Sequence, residues 1–101
     1  MHNDYVMNLR LVDACHALEL ASAQVLEIVE HGIIIPVGET PDEWLFDLQM
    51  ISTARRAMRL QRDLQLEWSA VALVLELIEE RDRLRAENAM LQRRLQRFLN
   101  D

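Results

Sequence analysis

Three histidines, one cysteine and two adjacent acid pairs are the residues of this 101-residue chain whose types could do chemistry. His2, His16 and His31 lie far apart. None stands three or four residues from another histidine or the cysteine, the spacing at which a helix aims two ligands at one metal. Cys15 and His16 are sequence neighbours and point in different directions on a helix. The sole cysteine reads as a small core residue on an apolar face. Asp42-Glu43 and Glu79-Glu80 could form carboxylate dyads only if burial raised a pKa, and turn or helix-surface positions offer none. No glycine-rich phosphate loop, serine-centred elbow or zinc spacing is present. The expectation is a non-enzyme with no catalytic residue, no metal and no cofactor.

Arginine carries the remaining binding chemistry, because the chain has no lysine and every base is a guanidinium. Arg55, Arg59 and Arg62, spaced by four and three, make a helical stripe that could contact phosphates. The competing reading pairs that stripe with the acidic first part of the chain, or with Asp63 and Glu67. Charge distribution favours the second. Residues 1–46 hold eight carboxylates and one base, Arg10, for −7; residues 47–101 hold nine carboxylates and ten arginines, for +1, giving −6 in all. Counterion release by Lys and Arg supplies most affinity for nucleic acid, so a −7 unit repels it. DNA is therefore an unfavoured partner. Glu27, Glu30, Glu76, Glu79 and Glu80 are the surface most available to a basic protein. Their charge would speed encounter and select the partner, with apolar anchors supplying affinity.

The elements that must position these residues are mostly helical. Leu, Ala, Glu, Gln and Arg dominate, with only two glycines and two prolines. Leu11, Cys15 and Leu18, with Val12 beside them, predict a helix over Leu9 to Leu18. Ser22 is a candidate cap for a second helix, Ala23 to His31, burying Val25, Leu26, Ile28 and Val29. Gly32 should end it in a left-handed conformation. Two short helices so joined make a helix-turn-helix. Ile33 to Ile35, closed by Pro36, predicts an edge strand; Val37 to Asp42 a turn or wing; Trp44-Leu45-Phe46 the returning strand of a short β-hairpin. Asp47 can cap a third helix to about Leu64. One half of it carries Met50, Ile51, Ala54, Ala57, Met58, Leu60 and Leu64, and the other the arginines, Arg56 included.

Ser69 can cap a last helix to about Leu99, roughly 45 Å long at the helical rise. Leu77, Leu84, Leu91 and Phe98 recur every seven residues as d positions, putting Val74, Arg81, Asn88 and Leu95 at a. Leucine at d with one Asn at a is a coiled-coil pattern, although Arg81 weakens its first heptad. A homodimer paired through Leu77, Leu84, Asn88, Leu91, Leu95 and Phe98 is expected, the alternative being a helix folded back on the head. The domain reading is a head over residues 1–68 and a dimerisation helix over 69–101. The start, Met1 to Tyr5, lacks the basic and apolar segments of a signal peptide, and the apolar stretch from Ser69 to Ile78 is too short to span a bilayer. A cytoplasmic protein with no membrane partner is expected.

The order Leu11-Val12-Asp13-Ala14-Cys15, Ser22 to Val29, Glu30 to Pro36 and Trp44-Leu45-Phe46-Asp47 resembles the winged helix-turn-helix head of MerR-like regulators. It is more similar still to the bacterial chaperone-modulator family, CbpM-like. The cues are Trp44-Leu45-Phe46-Asp47, Ala57-Met58-Arg59-Leu60, Leu66-Glu67-Trp68 and Asn88 to Leu95, together spanning about Leu11 to Phe98. The resemblance implies a mainly α fold: a MerR-like winged helix-turn-helix head with a short β-hairpin wing, then a long C-terminal coiled-coil helix. It also implies a homodimeric inhibitor of the J-domain of a CbpA-type, DnaJ-like co-chaperone, blocking its engagement of Hsp70. A MerR-like DNA-binding transcription regulator is the alternative. Against it, MerR-like recognition helices carry an arginine and aromatics after the capping serine, where this chain has Glu27, Ile28 and Val29. The ligand-sensing residues of that group have no counterpart here, so no small-molecule ligand is expected.

Overall fold

Asp47 illustrates how local chemistry starts an element: its Oδ1 accepts the Met50 backbone N–H at 2.8 Å and opens the third helix, as expected. The computed structural model describes residues 8–100, so His2 and the Met1–Tyr5 start lie outside the described residues. Four helices follow in order: α1 (Leu11–Leu18), α2 (Ser22–Glu30), α3 (Leu48–Leu64) and α4 (Trp68–Asn100). The protein is mainly α, with only isolated bridges for β structure among the described residues. No described helix is long and apolar enough to cross a membrane.

The helix ends show which local signals acted. Gly32 takes φ +72°; its N–H donates to the Val29 carbonyl at 2.9 Å, and the Ile33 N–H to Ile28 at 3.1 Å. These paired bonds close α2 as the glycine predicts. The same arrangement closes α1, but at a non-glycine: Glu19 sits at φ 55°, with Leu20 N–H reaching the Cys15 carbonyl at 3.0 Å. Two serine caps move. Ala21 takes the extended conformation before α2, its N–H donating to Gln24 Oε1 at 3.2 Å, so Ser22 lies inside the first turn. Likewise α4 begins at Trp68, with the Val71 N–H bonded to the Glu67 carbonyl, so Ser69 is helical.

The expected strand at Ile33 to Ile35 does not form. Ile34 and Pro36 turn into the core instead, and proline has no N–H to give a ladder. Pairing begins one residue later, where Val37 and Leu45 exchange bonds of 3.2 and 2.9 Å. Leu9, expected inside α1, pairs with Phe46 through two bonds of 2.7 Å. The anticipated hairpin is thereby reduced to the single Val37–Leu45 bridge around the turn at Gly38–Glu43, with the Leu9–Phe46 bridge tying it to the start of α1.

The core lies where α1, α2 and α3 meet. Ala14, Leu18, Val25, Ile28, Ile34, Phe46, Ile51 and Ala54 form one cluster; Ala57, Val71 and Leu75 form a second, between α3 and α4. Trp68 touches both. Fully buried Ala14, Ala54 and Ala57 allow close helix approach, which larger side chains would prevent. Phe46 is fully buried and meets Trp44 edge-on at 6.1 Å between centroids. Val12 and Leu64, expected on apolar faces, are exposed; Leu64 stands where α3 ends at left-handed Gln65.

Candidate functional site

The arginine stripe resolves into a structural role for its first member. Arg55 Nη2 donates to the Ala17 carbonyl at 3.0 Å, capping the C-terminal end of α1 with a cation. Its partner is a backbone carbonyl rather than a carboxylate. Arg10 acts similarly, donating from Nη1 to the Asp42 carbonyl at 3.1 Å and tying the start of α1 to the turn. Neither contact was legible in the sequence. Arg59 and Arg62 remain exposed.

All five candidate acidic residues are exposed, but they do not share one face. The His31 Nδ1–H donates to the Glu27 carbonyl at 2.8 Å. His31 in turn lines a small cavity of about 60 Å³ with Thr53 and Arg56 of α3 and Glu76 and Glu79 of α4. The end of α2 thus brings His31 beside Glu76 and Glu79, while Glu27 is not among the residues that line the cavity. Glu30 stands about 60° from Glu27 on the α2 wheel, farther from the flank that carries His31. Glu80 turns to another side of α4, toward Leu77, Leu84 and Asn88. There Arg83 bridges it and Glu87, the latter at 2.7 Å. The hydrogen bond and positive charge of Arg83 hold the Glu80 carboxyl below its ordinary pKa.

Cys15 is half-buried, and burial pushes its thiol pKa up, away from the thiolate a nucleophile or metal ligand needs. The acid pairs Asp42-Glu43 and Glu79-Glu80 are solvent-exposed. Among the described residues no group of three or more His, Cys, Asp or Glu is arranged to hold a metal ion.

Along α4, burial ends early. Val71 and Leu75 are buried against α3, while Leu77, Leu84, Leu91, Leu95 and Phe98 are 50–79 % exposed and Asn88 is exposed with them. The heptad positions therefore form an apolar stripe that the head does not cover.

A profile of MerR helix-turn-helix family regulatory proteins matches residues 9–93. The chain is 48% identical over 98 residues to the chaperone modulatory protein CbpM of a Pseudomonas putida strain, covering 97% of each chain. It is 46% identical over 98 residues to that of Pseudomonas entomophila, again covering 97% of each. With the protein of that name from Citrobacter koseri it shares 38% identity over 89 residues and 88% of each chain.

Proposed function

The chain belongs to the CbpM family of MerR-type helix-turn-helix proteins, and we propose that it is a non-catalytic modulator of a chaperone system. Its target is the J-domain of a CbpA-type, DnaJ-like co-chaperone. The modulator inhibits that co-chaperone by covering the basic helical face it offers to Hsp70. The name carried by the relatives supports the chaperone connection, and charge supports the kind of partner. The observation that carries the reading is the exposed pair Glu76 and Glu79 beside His31 at the end of α2, with Glu27 exposed one turn earlier on that helix. It gives a head built on a DNA-reader plan a carboxylate surface contributed by two helices. Such a surface attracts a cationic polypeptide and repels phosphate. Glu30, farther round α2, and Glu80, on the side of α4 that carries Leu77 and Leu84, complete the partner-binding set from other faces.

In this reading residues 1–68 form the docking head and residues 69–101 pair two copies. The exposed stripe of Leu77, Leu84, Asn88, Leu91, Leu95 and Phe98 is the dimer seam. The work is cytoplasmic, where DnaJ-like co-chaperones meet their Hsp70, and needs no cofactor or small-molecule ligand. The test is calorimetry of the protein with a CbpA-type J-domain at low and at moderate salt. Binding that weakens as salt rises is expected; no heat at either salt ends the proposal. Charge reversal at Glu27, Glu76 and Glu79 should weaken binding, and unchanged affinity would remove the site assignment.

The match to a regulatory-protein profile favours a second reading, a DNA-binding transcription regulator using Arg59, Arg62 and the turn around Gly38. Arg55 weighs against it, because its guanidinium is occupied by α1. A mobility shift on a defined operator that survives physiological salt would promote it.

A further inference from the structure

We infer that His31 is a proton-sensitive switch on the acidic surface: when its imidazole takes a proton, it engages Glu76 and Glu79 and withdraws them from the basic partner. This rests on the J-domain reading above and adds the regulation of that site. The hydrogen-bond partner fixes the tautomer of the neutral ring. The Glu27 carbonyl accepts the His31 backbone N–H at 3.0 Å and the ring Nδ1–H at 2.8 Å. A carbonyl can only accept, so Nδ1 carries the hydrogen of the neutral ring and Nε2 is bare. The next proton therefore goes to Nε2, and the Nδ1 bond holds the ring at the end of α2 in both states.

The ring lines a cavity of about 60 Å³ whose other walls carry the charges that meet it. Glu76 and Glu79 come from α4 and Arg56 from α3, while Glu27 and Glu30 precede the ring on its own helix. Neutral, the imidazole offers the α4 carboxylates a lone pair and no charge, and among the described residues neither carboxylate forms an ion pair. Protonated, it offers them an N–H and a positive charge, which is what a lysine or arginine of the partner brings. The imidazolium and the partner's cation thus compete for one pair of carboxylates. Arg56 is a guanidinium, charged at every physiological pH, and contributes equally in both states. Proton uptake and partner binding then oppose each other, so affinity is highest where histidine is neutral and falls as acid is added. Histidine suits this role because the side chain ordinarily changes charge at about pH 5–8, where carboxylates and guanidinium groups keep theirs. The link is solvent-exposed, so its effect is that of a surface ion pair, about two- to fivefold in affinity.

Calorimetry of the full-length protein with a CbpA-type J-domain at about pH 8 and about pH 6 tests the switch, with His31→Gln as the comparison. Glutamine keeps an N–H for the Glu27 carbonyl and cannot take the charge. Between the two pH values the parent should lose about two- to fivefold more affinity than the variant, the J-domain's own titrating groups entering both curves alike. A second readout needs no partner. The difference in thermal midpoint between the parent and His31→Gln should be larger at the lower pH, and Glu76→Gln with Glu79→Gln should abolish that dependence. Equal losses of affinity in parent and variant, or a midpoint difference that ignores pH, overturn the switch and leave the J-domain reading standing. Absence of J-domain binding by the parent at both pH values overturns that reading and the competition with it.

Discussion

Replacing Leu84 and Leu91 by glutamine should separate two copies of the protein without unfolding either. Both leucines lie on α4 beyond the last residue buried by the head, and they are 50% and 56% exposed in the single chain. Full burial of a leucine contributes about 1.5–3 kcal/mol, so covering the remaining half contributes about 1 kcal/mol per side chain. Two substitutions in each of two chains remove four such contributions, or about 4 kcal/mol. At about 1.4 kcal/mol per tenfold, the dimer dissociation constant should rise by about a thousandfold. Sedimentation equilibrium across a concentration series measures it, and circular dichroism checks that helix content at saturating concentration is kept. The core clusters contain neither residue, so the head should stay folded. An unsubstituted protein that is monomeric throughout the series, or a double variant that associates as tightly as the parent, refutes the reasoning.

Asp47→Ala removes the side-chain acceptor of the Met50 N–H and should cost about 1 kcal/mol. Thermal unfolding should show a midpoint lower by about 4–8 °C. Gly38→Ala is harsher, because φ is +122° and the added Cβ would stand 2.7 Å from the Glu43 carbonyl oxygen. Denaturant titration should give a loss of about 1–3 kcal/mol. Glu19→Gly should do the opposite: relieving a left-handed non-glycine residue at φ 55° is expected to raise stability by about 0.5–1 kcal/mol, net of the added freedom of the unfolded chain.

The parts of this protein that were legible in the sequence are those set by neighbours along the chain. Asp47 before an apolar helix and Gly32 after one act over three or four residues, and both appear where the pattern puts them. Phe46 and Trp44 stand in the segment that the sequence marks as returning to the head, and their bulk holds the small turn against the helices. Ser22 misled by one residue and Ser69 by two, since a serine in a first helical turn and a serine at a cap look alike in sequence. Ile33 to Ile35 misled more deeply. A β-branched run suits a strand and a buried connector equally, and only the position of the core decides that Ile34 and Pro36 turn inward. The partner of Arg55 is a carbonyl thirty-eight residues away; carbonyls occur at every position, so no pattern marks it. The placing of His31, at the end of α2, beside Glu76 and Glu79 of α4 is a tertiary arrangement that no local spacing encodes. Periodicity did reveal the α4 stripe, yet a seven-residue repeat in one chain does not name what covers it.

The central claim is that a helix-turn-helix head whose first 46 residues carry a charge of −7 serves a cationic protein instead of DNA. The most direct measurement titrates this protein into labelled CbpA-type J-domain and, in parallel, into labelled duplex DNA, following fluorescence anisotropy at physiological ionic strength. Saturable binding of the J-domain with a flat duplex titration is the predicted result. Saturable binding of the duplex, with affinity falling steeply as salt is added and no response from the J-domain, would contradict it.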